Sequence, residues 1–406
     1  MAERSPTSPK PHRASSPLSA MPIHQLLVLS EKLARLPTAL VVLLILLLAL
    51  GVGWNWNRIQ PVDGMIAGGA VLVMGVVNGW MLSELPRRQR SWGAPNGVLL
   101  ALMVVQSVIL GLAGWMGSAV EPLAAGLLIG AILLDVLLTG IAFYATWIEP
   151  FRVGVTYETL SVTAAAHDGA PRVLRVMHLG DLHLERIGLR EQRVNILIES
   201  LKPDLILFSG DFVNISYQYD PEAEQGVRTV IGAWRAPMGV LAVAGTPAVE
   251  PLGRVISFTQ GLDGLRLLLN DWQSFETPVG VVHVLGLVTT HHLPLDRSAL
   301  TEALTNAPET PGLRVLLTHS PDIAPEAAAA GFDLYVCGHT HGGQIRLPFI
   351  GALLTSSHYG QRFVKGKYRL EQMTLYVTRG LGMEGFGAPR ARFLCPPEIV
   401  LWEIRA

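Results

Sequence analysis

The stretch "FDLYVCGHTHGGQ", residues 332–344, sets a short apolar run directly against two histidines, His339 and His341, separated by one threonine. The run has the length and the bounding glycines of a strand buried on both faces. Alternate residues of an extended segment point the same way, so the H-x-H spacing aims two imidazoles at one place. The pattern recurs along the chain. "RVLRVMHLGDLH" ends in Asp181 and His183, "DLILFSGDFVN" carries Asp211, and "LRVLLTHSPD" carries His319. "GVLAVAGTP", "VGVVHVLGLV" and "TLYVTRGLG" are further runs of this kind, and helical-period segments such as "REQRVNILIESLK" lie between some of them. Strands alternating with helices predict an α/β domain whose sheets are covered by helices. Polar residues at the carboxyl ends of such strands are where a site is expected.

Asp181, His183, Asp211, His319, His339 and His341 would form a mixed nitrogen and oxygen pocket. Such donors suit manganese, iron, zinc, nickel or cobalt, without distinguishing among them, better than calcium or magnesium alone. Six donors exceed one closed tetrahedral site but suit two ions about 3.5–4 Å apart that share a bridging carboxylate. A nucleophilic serine or cysteine has no support: there is no G-x-S-x-G, and Cys337 lies within the strand run. The glycines lack the spacing and the lysine of a P-loop. His283, His291, His292 and His358 lack the strand-end context and read as surface or supporting residues.

The first third of the chain is different in kind. Mean hydropathy is +0.38 overall, and the apolar excess is concentrated before residue 150. Four stretches approach the roughly 20 residues that a helix needs to cross a bilayer core. They are "TALVVLLILLLALGVGW" from Thr38 and residues 65–82, 98–115 and 123–147, with Trp54, Trp56, Trp80, Trp115 and Trp147 near their ends as interfacial aromatics. Lys32, Arg35, Arg87, Arg88, Arg90 and Arg152 flank one set of ends, whereas the opposite loops hold only Arg58. The positive-inside rule then predicts cytoplasmic termini and a cytoplasmic C-terminal domain. Asp135 lies near the middle of the fourth stretch and is expected to face a polar neighbour such as Asn78 or Gln106. The expected organisation is a disordered, basic tail over 1–35, four transmembrane helices over 36–148 and a catalytic domain over 149–406.

A formal net charge of −1 over 406 residues gives no bulk field that would recruit nucleic acid. Two cysteines, Cys337 and Cys395, far apart in sequence, read as buried thiols of a reducing compartment.

The segments "GDLH", "GDFVN", "THSPD" and "GHTHGGQ" occur in the order found in the calcineurin-like metallophosphoesterase superfamily, and residues 171–403 resemble it. The closing "YVTRGLGMEGFGAPRARFLCPPEIVLWEI" and "LLLNDW" resemble a membrane-associated subgroup. This resemblance implies a four-layer αββα sandwich behind the multi-span helical region, and a hydrolase using two divalent ions. It implies that Asp181, His183 and His341 hold one ion, that His319 and His339 hold the other, and that Asp211 bridges them. It also implies attack on phosphorus by a hydroxide between the ions.

One segment departs from the family. Where members carry G-N-H-[DE], with Asn as a metal ligand and His assisting catalysis, this chain has Gly245, Thr246 and Pro247. A threonine hydroxyl is a weak candidate ligand, and proline can neither transfer a proton nor donate a side-chain hydrogen bond. General acid catalysis typically contributes about 10²–10⁴-fold, so activity is expected to be weakened or to need a leaving group that departs unprotonated. The resulting expectation is a membrane-anchored hydrolase of a phosphoester or phosphoanhydride. Lipid-linked substrates rank first because the spans hold the site near headgroups. The alternative is a catalytically impaired relative that binds metal or a phosphorylated ligand as a sensor or scaffold. No obligate protein partner is inferred.

Overall fold

The computed structural model describes residues 29–162 and 172–406. Residues 1–28 of the expected tail lie outside the described residues, and residues 29–34, expected to be part of a disordered tail, are helical. Four helices long and apolar enough to cross a membrane follow: α1 (Thr38–Asn57), α2 (Pro61–Ser83), α3 (Pro95–Ala119) and α4 (Ala124–Phe143). They pack through an apolar seam that includes Val41, Ile45, Val71, Met103, Leu110 and Leu128. Within it Asn78 donates to the Gln106 side chain at 2.9 Å, and Gln106 donates to the backbone carbonyl of Asp135 at 2.9 Å. Asp135 therefore meets Gln106 through its main chain, while its buried carboxylate has no hydrogen-bond partner among the described residues.

The α4 helix runs on through one π turn (Tyr144–Ile148) and a 3₁₀ turn (Glu149–Phe151) straight into the first strand. Buried polar contacts seat the bundle on the domain. Glu149 accepts from the amides of Leu394 and Cys395, and the Arg392 amide donates to the Ala145 carbonyl at 2.8 Å. Arg390 pairs with Glu185 at 2.6 Å, and Glu185 also accepts from the Trp92 amide at 2.8 Å in the loop between α2 and α3.

Two six-stranded sheets make the domain. The first has the order β1 (Gly154–Ser161), β14 (Glu398–Arg405), β2 (Val173–Leu179), β3 (Leu205–Phe208), β4 (Val240–Ala242), β5 (Leu265–Leu267), parallel except where β14 meets β2. The second has the order β12 (Gly366–Leu370), β13 (Met373–Val377), β9 (Leu334–Cys337), β8 (Leu313–Thr318), β7 (Gly280–Leu287), β6 (Asp271–Thr277), with antiparallel pairs only at its edges.

Continuous apolar strands reflect burial on both faces. Leu174 and Val176 of β2, Val315 and Leu317 of β8, and Leu334 and Val336 of β9 meet between the sheets. Their alternates face outward. Met177 and Leu179 lie under helices Leu189–Leu201 and Pro221–Ile231, whereas Leu316, Tyr335 and Cys337 lie under Leu293–Thr305 and Ala324–Ala329. The result is the four-layer αββα arrangement, with the parallel strands of both sheets ending at one rim.

Candidate metal centre

Every candidate side chain leaves a strand at that rim. Asp181 and His183 follow β2, Asp211 follows β3, Thr246 follows β4, His319 follows β8, and His339 and His341 follow β9. Main-chain bonds stitch the strand-end loops together: Asp181 N to Gly210 O at 2.9 Å, His183 N to Asp211 O at 3.0 Å, and Gly338 N to His319 O at 2.9 Å. The structure thus brings the six expected ligands and Thr246 into one buried cluster.

The local backbone is strained. Asp181, His183, Asp211, His339 and His341 all have left-handed φ angles, between 41° and 72°. Such a conformation costs a residue with a Cβ about 1–2 kcal/mol. Strain concentrated on the residues that face one pocket points to a functional constraint. The neighbouring glycines allow the close approach: a Cβ on Gly338 would lie 2.6 Å from Oδ2 of Asp181, and one on Gly245 would strike Asp211 Oδ1.

Two groups of donors share Asp211. In the first, Nε2 of His183 and Nε2 of His341 face each other at 2.9 Å, beside the Asp181 carboxylate. In the second, His319 Nε2 and His339 Nδ1 lie 3.0 and 3.4 Å from Thr246 Oγ1. Asp211 Oδ2 stands 3.3 Å from both His183 Nε2 and His319 Nε2, and its Oδ1 accepts from the Thr246 amide at 2.7 Å. Carbonyl oxygens only accept, so two contacts fix tautomers. His319 donates from Nδ1 to Ser209 O at 2.8 Å, and His339 donates from Nε2 to Ser356 O at 3.1 Å, so Nε2 of His319 and Nδ1 of His339 are the nitrogens turned towards the pocket. This is how imidazoles are held for metal ligation.

The donor set fits divalent ions. Within each of the groups Asp181–His183–His341 and Asp181–Asp211–His319, one ligand atom per residue lies within 4.8 Å of the others. The Nδ1 atoms of His183 and His341 are buried without partners among the described residues. Nε2 of His183 and Nε2 of His341, 2.9 Å apart, share one ring hydrogen in the metal-free site, and a cation that displaced it would be held by both nitrogens.

The electrostatics point the same way. Burial opposes ionisation of Asp211, but His319 and His183 outweigh it and hold the carboxyl well below its usual range. Burial disfavours charge on His319 too, yet Asp211 overrides it and pushes the imidazole up to about 9. Burial, reinforced by Asp211 and opposed by His319, lifts Asp181 to about 6. Burial and the neighbouring His319 hold His339 down to about 4, and burial with His183 keeps His341 well below the ordinary value.

Two residues gain importance from the fold. Glu250 is buried beneath the loops, accepting from the amides of Phe212 at 2.7 Å, Asp211 at 3.0 Å and Gly245 at 2.7 Å, so it braces two site loops and does not face the pocket. His291, expected to be a surface or supporting residue, is instead buried in the second group, with Nε2 3.1 Å from Thr246 Oγ1. Its signal was present in the sequence, because "TTHH" follows the apolar run of β7 just as the other ligands follow theirs. His283 is tied to Ser274 and Thr310 away from the rim, and His292 and His358 are exposed.

No family model matches the chain. Similar proteins include the metallophosphoesterase YkuE of Bacillus subtilis, 28% identical over 294 residues that span 68% of this chain and 94% of the relative. The phosphodiesterase YaeI of Escherichia coli is 28% identical over 233 residues, 57% of this chain and 82% of that one. The UDP-2,3-diacylglucosamine pyrophosphatase LpxG of Chlamydia muridarum is 25% identical over 280 residues, 56% of this chain and 82% of that one. Matched over most of the length of such relatives, and folded so that the shared motifs meet at one rim, the chain belongs to the calcineurin-like metallophosphoesterase superfamily.

Proposed function

We propose that the chain is a membrane-anchored hydrolase that uses two divalent ions to cleave a phosphoester or phosphoanhydride, with a lipid-linked phosphoanhydride as the preferred class of substrate. The observation that carries this reading is the pair of donor groups sharing Asp211 beside an apolar cleft. Ions held there supply a water of lowered pKa and neutralise charge on phosphoryl oxygens. The chain's own part is to hold the donors. Asp181, His183 and His341 would bind one ion, His319 and His339 the other, and Asp211 both. Asp211 stays ionised between its histidines, and the carbonyls of Ser209 and Ser356 keep His319 and His339 turned towards the pocket.

Substrate class follows from what lies next to His341. A cleft of about 260 Å³ opens there, walled by Ile345, Leu353, Leu354 and Pro389 and, on its far side, by Ser30, which precedes α1. The β10–β11 hairpin (Arg346–Leu347 and Gly351–Ala352) beside it exposes Phe349, Ile350, Leu353 and Leu354. An apolar cleft and hairpin next to the first membrane helix suit acyl chains. Pro247 offers no proton, which favours an anhydride over an alkyl ester as the bond cleaved. The domain faces the cytoplasm in this reading, because Lys32, Arg35, Arg87, Arg88, Arg90 and Arg152 all belong to the bundle end that carries the domain.

Thr246 and Pro247 also support the second reading, an impaired relative that binds a phosphorylated ligand without turnover. The deciding experiment uses the 406-residue chain in nanodiscs with manganese or zinc, offered bis-p-nitrophenyl phosphate and a diacylated sugar–nucleotide pyrophosphate. Turnover of both, faster on the lipid-linked anhydride, is expected. Absence of turnover that is rescued by Thr246→Asn with Pro247→His would overturn the enzyme reading in favour of the second.

A further inference from the structure

Thr246 presents one hydroxyl to three imidazoles. Its Oγ1 lies 3.0 Å from His319 Nε2, 3.1 Å from His291 Nε2 and 3.4 Å from His339 Nδ1. A hydroxyl has one hydrogen and two lone pairs. His319 and His339 have already committed their ring hydrogens to the carbonyls of Ser209 and Ser356, so in their neutral forms each turns a bare lone pair to Oγ1. One hydrogen cannot serve both. In that neutral state the acceptors are in surplus, and the conflict is removed either by a proton on His319 or by a cation that takes its place.

His291 is built into this group. Its ring lies 4.2 Å from that of His339 and 6.0 Å from that of His319, centroid to centroid, and the three ligand nitrogens fall within 4.8 Å of one another. Its φ of 58° repeats the left-handed conformation of Asp181, His183, Asp211, His339 and His341. The turn that carries it is fixed from outside the pocket. Asp296 Oδ1 accepts from the amide and the hydroxyl of Thr290 at 2.8 and 2.6 Å, and the Thr290 hydroxyl accepts from the His292 amide at 3.1 Å. A threonine at 246 is shorter than the asparagine it stands for, and His291 approaches the group from the adjacent loop.

We propose that His291 is a ligand of the second divalent ion, alongside His319, His339 and the shared carboxylate of Asp211, in place of the asparagine that the "GTP" segment lacks. This rests on the metal-dependent reading above and adds a preference to it. Three imidazoles and one carboxylate favour zinc, cobalt or nickel over manganese or magnesium at that position. Asp296 and Thr290 are positioning residues for the new ligand.

The test is metal binding, independent of turnover. The 406-residue chain in detergent is stripped of metal and titrated with cobalt(II) alone and manganese(II) alone, reading ions per chain by mass spectrometry and the cobalt visible absorption. Two cobalt ions are expected for the unchanged chain. His291→Ala should keep the first and bind the second at least about tenfold more weakly, with a changed cobalt spectrum. His291→Gln, which preserves side-chain bulk and a hydrogen-bonding end, should do the same and guards against simple misfolding of the alanine variant. Adding Thr246→Asn to His291→Ala should restore the second ion and shift its preference towards manganese. Two cobalt ions bound to both His291 variants with unchanged affinity and spectrum would overturn the assignment and leave the hydrolase reading standing. No ions on the unchanged chain would overturn both.

Discussion

Replacing Asp211 by asparagine removes the one carboxylate that both donor groups share. Its Oδ2 lies 3.3 Å from Nε2 of His183 and of His319, and it is the main influence raising His319 from an ordinary 6.5 to about 9. At 1.36 kcal/mol per unit, that rise corresponds to about 3 kcal/mol favouring the imidazolium. The folded-state pKa lies above the unfolded one. In metal-stripped protein this contribution is therefore fully present below pH 6.5 and is lost as pH rises through about 9. Metal uptake must expel the His319 proton at any pH below about 9, so affinity should climb about tenfold per pH unit for each proton released. In Asp211→Asn, burial dominates and His319 becomes neutral near pH 7.5. That variant should release at least one proton fewer on binding zinc, yet hold it about 10–100-fold more weakly, because the shared ligand is gone. Titration calorimetry in two buffers of different ionisation enthalpy counts the protons, and histidine NMR follows His319 directly. Equal proton release and equal affinity in the two proteins would refute the assignment of Asp211 as the shared ligand.

Three further substitutions test separate parts of the structure. Glu185→Gln leaves the buried guanidinium of Arg390 without its counter-charge and should destabilise the folded chain by about 3–5 kcal/mol, visible in thermal melts. Gly338→Ala places a Cβ 2.6 Å from Asp181 Oδ2 and should lower turnover by about 10²-fold with unchanged circular dichroism, since small displacements of a site residue are costly. Phe349→Asp with Ile350→Asp, on the exposed hairpin, should slow hydrolysis of a vesicle-embedded substrate and leave a soluble diester unaffected. Equal losses on both substrates would remove the hairpin from lipid handling.

The strands that position the site were legible because burial on both faces writes them as unbroken apolar runs, each closed by the residue that matters. "DLYVCGHTH" and "LRVMHLGDLH" declare strand and ligand together. Half-buried strands were harder to see. β6, "DWQSFET", has only two apolar residues, Trp272 and Phe275, and they pack on opposite faces, so its pairing with β7 is what reveals it as a strand. Glu250 and His291 owe their roles to tertiary neighbours. Glu250 reaches the amides of Asp211 and Phe212 from the loop after the neighbouring strand, and His291, although it follows an apolar run, has no alternating partner and no counterpart in the quoted family motifs. The left-handed backbone at the ligands is likewise not written in the sequence, because aspartate and histidine adopt it more readily than most residues but take it here through the strand-end contacts around the pocket.

The most direct measurement is anomalous diffraction from crystals of the chain grown with zinc, collected at the zinc edge. Two peaks about 3.5–4 Å apart are expected on either side of Asp211, one among Asp181, His183 and His341 and the other among His291, His319 and His339. A single peak, or peaks that do not flank Asp211, would contradict a shared two-ion centre.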